Sequence, residues 1–214
     1  MDKLMETTLS ILAGSKITLE IFAATLAMSL PLGLLAALAR LSKIGVISRL
    51  TELYIWIMRG SPLMLQLLFV YFALPLVGIK FDPLPSALLA FTLNYAAYFA
   101  EIFRAGIQSI ERGQYEAAKT LGMTYIQTMR RIILPQMIHR VLPPVSNETI
   151  NLVKDTSLIY ILAMNDLLRV ARTIVQRDFD MTAFFIAGVF YLAMTAVLTW
   201  MFKKLEAHYG KYDF

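Results

Sequence analysis

The sequence contains no cysteine, which excludes disulfide bonds, thiolate catalysis and cysteine-ligated metal sites. Histidine is almost as scarce, and His139 and His208 are too far apart in the chain to form a metal-ligating motif. There is also no glycine-rich loop ending in Lys and Ser or Thr, so the chain cannot bind ATP by that device. No internal repeat is evident, and any pseudo-symmetry therefore has to come from a second subunit.

Charged residues are also few, at 16% of the sequence, whereas 58% of residues are hydrophobic and the mean hydropathy is +0.62. A chain this apolar is not an ordinary soluble domain, and we interpret it as an integral membrane protein in a lipid bilayer. Its net charge of +5 is not gathered in one run or on one aromatic face, so no nucleic-acid partner is expected.

Five apolar segments are long enough to cross a bilayer core of roughly 30 Å, which takes about 20 helical residues. They cover residues 17–41, 50–76, 84–107, 132–153 and 183–202. We therefore expect an all-α polytopic membrane protein with five transmembrane helices, forming a single domain over residues 1–214. Pro143 and Pro144 are expected to kink or open the fourth helix, because each lacks an amide donor.

Lysine and arginine in the connecting segments predict the orientation of the chain. The richer side, predicted to be cytoplasmic, has Arg40, Lys43, Arg49, Arg112, Lys119, Arg130, Arg131, Lys203, Lys204 and Lys211. The other side has Lys3, Lys16, Lys80, Arg169, Arg172 and Arg177. This bias predicts an outside N-terminus and a cytoplasmic C-terminus. Residues 165–180, with a short helix over 166–172, are then either a plain outer loop or a contact surface for a solute-binding protein.

Two stripes of polar side chains fall within the predicted spans, where ionisable groups usually face a bundle interior or an aqueous path. The first stripe lies on one face of the third span and comprises Asn94, Tyr98 and Glu101. The second lies on the fourth span and its exit and comprises Glu148, Asn151, Lys154, Asp155 and Ser157.

These stripes have two interpretations. In the first, Glu101 pairs with Arg104 three residues later, and Lys154 with Asp155, and the pairs only fix packing. In the second they bind a zwitterionic solute, whose carboxylate needs a cation and amides and whose ammonium needs an acid. Ser61 and Gln66 in the second span are similarly either core hydrogen-bonding groups or part of the path.

Residues 111–135 form the longest polar interval that still has the pattern of a folded segment. Residues 114–121 predict a helix of about two turns, and Gly122 stands where a helix end needs a left-handed backbone. Thr124 and Gln127 have the spacing of a capping box, which starts the next helix. The interval is either a solvated loop or an ordered helix-turn-helix elbow.

The residue pattern of this elbow resembles the EAA signature of permease subunits of bacterial ABC importers. The matching positions are Glu116, Ala117, Ala118, Gly122 and the Ile-Ile-Leu-Pro run at 132–135. Residues 59–72, 97–118 and 142–158 are similar to the subfamily that imports polar amino acids, with Ser61 where that subfamily often has Thr. The resemblance covers residues 59–158 in detail, and the first and last spans only as apolar helices.

The resemblance implies a type I ABC importer permease fold in which residues 111–131 contain the cytoplasmic coupling helix. The implied contacts with the ATPase come from Tyr115, Glu116, Ala117, Ala118, Leu121 and Gly122. Such a chain is a transport subunit and not an enzyme, and it binds no cofactor; a partner ATPase uses ATP with magnesium. We expect residence in the bacterial cytoplasmic (inner) membrane.

The implied partners are two copies of the ABC ATPase subunit, a second permease subunit in a homodimer or a heterodimer, and an extracytoplasmic amino-acid-binding protein. We expect a cationic amino-acid substrate such as arginine, lysine or histidine, with glutamine or glutamate as the alternative. From another class, an ion-coupled secondary carrier would work without an ATPase. The five-span size and the lack of inverted repeats weigh against a carrier.

Overall fold

The computed structural model describes residues 2–209, and every regular element within that range is helical. In chain order the helices are α1 (Asp2–Arg40), α2 (Gly45–Gly60), α3 (Leu63–Leu68), α4 (Pro83–Gln108), α5 (Arg112–Thr120), α6 (Tyr125–Thr128), α7 (Leu134–Asp155), α8 (Leu167–Asp178) and α9 (Thr182–Tyr209). The predicted all-α fold is confirmed. Lys211 and the predicted cytoplasmic C-terminus lie outside the described residues.

The number of membrane spans differs from the prediction. Within the described range, three helices are long and apolar enough to cross a membrane: Lys3–Arg40, Pro83–Gln108 and Thr182–Tyr209. The bent pair Gly45–Gly60 and Leu63–Val77 gives a fourth if it is one span. Helix α7 contains the fourth predicted segment but is too polar to qualify, so the count of five is not confirmed.

Helix α1 is much longer than the apolar segment that predicted it. Its 39 residues extend about 58 Å at 1.5 Å per residue, nearly twice the thickness of a hydrocarbon core. The N-terminal part packs against the start of α8, where the Leu167 amide donates to the Thr18 hydroxyl at 3.5 Å. The carboxylate of Asp166 caps α8 by accepting the amides of Leu168 and Arg169 at 3.1 and 3.0 Å. The helix predicted over 166–172 is therefore confirmed and is longer.

Helices α1 and α4 meet along a seam of small residues. A Cβ atom added to Gly33 would lie 2.7 Å from the Phe99 Cβ and 3.0 Å from the Ala96 carbonyl oxygen, so the two backbones are in close contact. The hydroxyls of Thr25 and Ser29 are buried and have no hydrogen-bond partner among the described residues. The close approach at Gly33 packs α4 tightly against α1, the longest helix among the described residues.

The second predicted span is not one helix, because α2 and α3 are bent by 106° at residues 61–62. Pro62 disfavours a helical conformation at the preceding residue, and Ser61 is extended with φ −113° and ψ 145°. The Gln66 amide spans the bend by donating to the Met58 carbonyl at 2.9 Å and the Ser61 hydroxyl at 2.8 Å. The Asn94 amide donates to the Met58 carbonyl and the Gln66 side chain, both at 3.0 Å. Gln66 is therefore a core hydrogen-bonding group.

Helix α7 continues without a break through Pro143 and Pro144, so the expected opening of the helix at these residues is wrong. The irregular part comes earlier, in a π-helical turn over Met129–Ile133 just before Pro135. At its other end α7 passes into a 3₁₀ helix over Thr156–Leu162. Its polar face lies opposite the polar face of α4, and the two define the site.

Candidate functional site

A polar cavity of about 610 Å³ lies between the α2–α3 bend, α4 and α7, and we call it the central cavity. Five of the eight predicted substrate-binding residues line it: Asn94, Tyr98, Glu148, Asn151 and Asp155. A volume of this size is typical of small-molecule sites. The two stripes found in the sequence thus face one another across a single space.

Three predicted residues do not line this cavity. Glu101 lies further along α4 and accepts a hydrogen bond from the Arg104 Nε atom at 2.9 Å, so that predicted pair is present. Lys154 is exposed and points away, because six residues from Glu148 correspond to about 120° around the helix. Ser157 falls in the 3₁₀ segment, where the helical register of α7 no longer holds.

Two residues of the cavity with a charged or polar side chain were missed by the sequence analysis. The Tyr95 hydroxyl donates to the Asp155 carboxylate at 2.7 Å and joins α4 to α7. The Arg59 guanidinium lies 5.3 Å from the centre of the Tyr98 ring, within the range of a cation–π contact. The signal for Arg59 was a cation directly before the Gly-Ser-Pro break of an apolar segment, whereas Tyr95 had no distinguishing signal.

The charges of the central cavity come from different helices. The α2 end contributes the cation of Arg59, and α7 contributes the carboxylates of Glu148 and Asp155. The amide groups of Asn94 and Asn151 lie beside them. The cavity therefore offers a cation for the carboxylate of a small solute and two acids for one or two cationic groups of the same solute. Arg59, and not Lys154, is the cation among the residues that line this cavity.

The elbow after α4 has the local structure that its sequence predicts. Helix α5 ends in a Schellman motif, in which the Met123 amide donates to the Ala118 carbonyl and the Gly122 amide to the Lys119 carbonyl, both at 3.0 Å. Gly122 has a φ of +71°, as its position at the helix end requires. Both hydrogen bonds of the Thr124–Gln127 capping box are present, so the solvated-loop interpretation is wrong.

The elbow also has an exposed apolar surface. Leu121, Tyr125 and Ile126 are 78%, 70% and 75% exposed, although their side chains are large and apolar. Of the predicted ATPase contacts, Glu116, Ala117, Leu121 and Gly122 are exposed, Tyr115 is half-buried and Ala118 is fully buried. Clustered apolar exposure of this kind marks an interaction site. The sequence analysis included Leu121 but missed its two neighbours.

The predicted outer segment has a charged surface beside the start of α1. Asp178 is paired with Lys3 at 3.3 Å and with Arg177 at 2.7 Å. The hydrogen bond from Arg177 lowers the pKa of Asp178 to about 2, and this carboxylate stays ionised at any physiological pH. The segment is therefore a structured, charged helix and not a plain loop.

Comparison with known proteins decides the family. Residues 29–211 match the family described as "Binding-protein-dependent transport system inner membrane component". The chain belongs to this family. The permease is thus a transport component of the inner membrane, and its resemblance to permease subunits of bacterial ABC importers is confirmed.

Several curated relatives of the permease are similar over most of their length. It is 42% identical over 182 residues to the probable amino-acid ABC transporter permease protein YckA of Bacillus subtilis, covering 85% of this chain and 80% of that protein. It is 36% identical over 199 residues to the glutamine transport system permease protein GlnP of Escherichia coli, with 92% and 91% covered. It is 36% identical over 198 residues to the arginine transport system permease protein ArtQ of Bacillus subtilis, with 92% and 90% covered.

Solved structures agree with the fold. A chain from the crystal structure of an amino acid ABC transporter with histidines matches with a TM-score of 0.89 and 32% identity, over 96% of this chain and 97% of that one. A chain of the MetNI methionine ABC transporter matches with a TM-score of 0.72 at 18% identity, over 96% and 95%. At that identity the second match supports the fold alone. The predicted permease fold is confirmed.

Proposed function

We propose that the permease is the membrane-spanning subunit of an ATP-driven importer of polar amino acids, with a cationic amino acid as substrate. The observation that carries the proposal is that two carboxylates, Glu148 and Asp155, and one cation, Arg59, line the same cavity. The names of the relatives support the substrate class, because they include amino-acid, arginine and glutamine permeases.

In this proposal each group of the substrate has a partner in the central cavity. The planar guanidinium of Arg59 has donors spaced to bind both oxygens of an α-carboxylate. The acids on α7 attract the α-ammonium and the cationic side chain, and Tyr95 keeps Asp155 oriented. An arginine, lysine or histidine substrate uses both acids, whereas a neutral amino acid leaves one carboxylate without a cation.

We propose the α5–α6 elbow as the coupling element. An ATPase partner would bind the exposed Leu121, Tyr125 and Ile126, and the polar positions around Glu116 would orient it. Movement of the ATPase then reaches α4 and α7 as a rigid-body displacement, because the elbow directly joins these two helices. ATP and magnesium are used by that partner and not by this chain.

The remaining partners follow from the same proposal. Two permease subunits, most simply two copies of this chain, assemble with two ATPase subunits in the bacterial inner membrane. The elbow then faces the cytoplasm, as the lysine and arginine bias predicts. An extracytoplasmic amino-acid-binding protein delivers the substrate, and the charged α8 surface is its proposed contact. The N-terminus lies outside and the C-terminus inside in this arrangement.

The proposal is tested by uptake into proteoliposomes that contain the permease, its ATPase and its binding protein. Wild-type protein is expected to accumulate labelled arginine only with ATP. Asp155→Asn and Glu148→Gln should each lower arginine uptake about tenfold or more, while ATPase assembly measured by gel filtration is unchanged. Normal uptake by both variants would refute the site, and uptake driven by an ion gradient without ATP would favour a secondary carrier.

Glutamine is a second candidate substrate, which the similarity to GlnP of Escherichia coli favours. The same vesicles separate the two candidates. An excess of unlabelled glutamine should leave arginine uptake unchanged if the permease is selective for cations. A glutamine importer would show ATP-driven glutamine uptake that is insensitive to arginine.

A further inference from the structure

A second cavity lies between the central cavity and the elbow, and we call it the elbow-side cavity. Its volume is about 390 Å³, and it extends along α4 to Ser109, immediately before the elbow. The Arg140 guanidinium donates to the Ser109 carbonyl at that end and links α7 to α4. A solute leaving the central cavity towards the elbow would pass through this second space.

Three residues line both cavities: Arg59, Tyr98 and Glu148. They come from α2, α4 and α7, so each wall of the passage contributes one side chain at the boundary. The Arg59 guanidinium lies 5.3 Å from the centre of the Tyr98 ring, and Glu148 lines the same two cavities as Arg59. The boundary between the two spaces is therefore a charged side chain held against an aromatic ring.

Arg59 also has freedom to leave this position. It lies one residue before the end of α2, and no salt bridge holds it among the described residues, unlike Arg40 and Arg104. A third cavity of about 510 Å³ on the side of α2 is lined by Arg59 and gives its long side chain a place to move. An exposed cation–π contact is weak, so a bound ligand can replace it.

We propose that Arg59, stacked on Tyr98 and facing Glu148, is a gate between the central cavity and the elbow-side cavity. The proposal rests on the proposed function, because it assumes that the solute path runs through both spaces. A substrate carboxylate that binds the Arg59 guanidinium draws it from the ring and opens the passage. The gate thereby links opening to the presence of a substrate.

The proposal is tested by passive leak, which needs no ATP. The full complex with its ATPase is reconstituted into vesicles preloaded with labelled arginine, and efflux is followed without nucleotide. Arg59→Ala should release the label at least tenfold faster than wild type. Arg40→Gln is the matched control, because Arg40 lines the third cavity but neither of the other two, and it should retain the label as wild type does.

A second pair of variants keeps the test decisive if Arg59→Ala does not assemble. Tyr98→Phe keeps the aromatic ring and should remain tight, whereas Tyr98→Leu removes the stacking surface and should leak. Gel filtration of each complex confirms assembly. Equal, slow efflux from Arg59→Ala and Tyr98→Leu would overturn the gate.

The two proposals fail in different ways. Absence of ATP-driven uptake by the wild-type complex would count against the proposed function, whatever the leak rates are. Intact ATP-driven uptake by the wild type, together with tight Arg59→Ala and Tyr98→Leu vesicles, would remove the gate and leave the importer assignment standing.

Discussion

The two faces of α4 have opposite character. One face meets α1 along a seam of small residues, where Gly33 allows the backbones into close contact and the buried Thr25 hydroxyl has no hydrogen-bond partner within residues 2–209. The other face lines the polar cavities, where Asn94, Tyr95 and Glu101 each have a hydrogen-bond partner. A single helix thus has one closely packed face and one face that lines a cavity with charged and amide side chains.

The difference shows how a polar site can be held within a membrane helix. In a lipid environment helices associate through close van der Waals packing and interhelical hydrogen bonds, and small residues favour the close approach. The α1 seam provides the packing and fixes the position of α4. The cavity face can then carry groups that bind solute and change partners, because the rigidity of α4 does not depend on them.

The largest effect is expected where the seam is tightest. Gly33→Leu would force its side chain into Phe99 and the Ala96 carbonyl, and should cost about 3 kcal/mol or more of stability through overpacking. Thermal unfolding of the detergent-purified permease measures the change. Gly188→Leu on α9 is the control, since nothing lies within 4 Å of a Cβ atom at that position. Equal midpoints for the two variants would show that the seam is not rigid.

Two tyrosines with different positions, Tyr95 at the central cavity and Tyr54 away from it, separate an effect on substrate binding from an effect on stability. Tyr95→Phe removes the hydroxyl that donates to Asp155 at 2.7 Å, and should raise the KM for arginine about tenfold because the carboxylate loses its orientation. Tyr54→Phe removes a 2.6 Å hydrogen bond to the Leu93 carbonyl, away from the cavity, and should cost about 1 kcal/mol of stability with KM unchanged. Uptake kinetics and unfolding on both variants check this. An unchanged KM for Tyr95→Phe would contradict the role of that pair.

The smallest effect is expected for the unpaired hydroxyl of the seam. Thr25→Val replaces a buried, unsatisfied hydroxyl with a methyl group of the same shape, and stability should stay within about 1 kcal/mol of wild type or rise. Thr18→Val is the comparison, because that hydroxyl accepts the Leu167 amide at 3.5 Å and its loss should lower the unfolding temperature. A larger loss of stability for Thr25→Val than for Thr18→Val would mean that the Thr25 hydroxyl makes a hydrogen bond in the folded protein.

Contacts between residues close in the chain were predictable from the sequence, whereas contacts between residues distant in the chain were not. Gly122, Thr124 and Gln127 act within a few residues of one another, so their turn and capping box were readable directly. Arg59 and Tyr95 contribute through residues distant in the chain; no local pattern distinguished Tyr95, and the local signal at Arg59 has a meaning only once the chain bends at Pro62. Lys154 was assigned to the site on its charge and its helical spacing from Asn151, although it lies about 120° around the helix from Glu148. Part of the first stripe was recoverable because Asn94 and Tyr98 share one helical face.

The single helix predicted over 50–76 differs from the structure for a related reason. The sequence analysis treated 50–76 as a single rod, although Pro62 lies within it and the chain bends there by 106°. The bend places Arg59 at the cavity. The sequence analysis missed the bend, and for that reason it also missed Arg59 as a lining residue. Within an apolar segment, a cation three residues before a proline is the sequence signal for both the bend and the cation that lines the cavity.

The most direct test of the account is a structure of the assembled transporter with its amino acid bound. The account predicts density for the amino acid in the central cavity, with its carboxylate at Arg59 and its cationic group at Glu148 and Asp155. Density for the amino acid elsewhere in the permease, with the central cavity filled by lipid or by the second subunit, would contradict it.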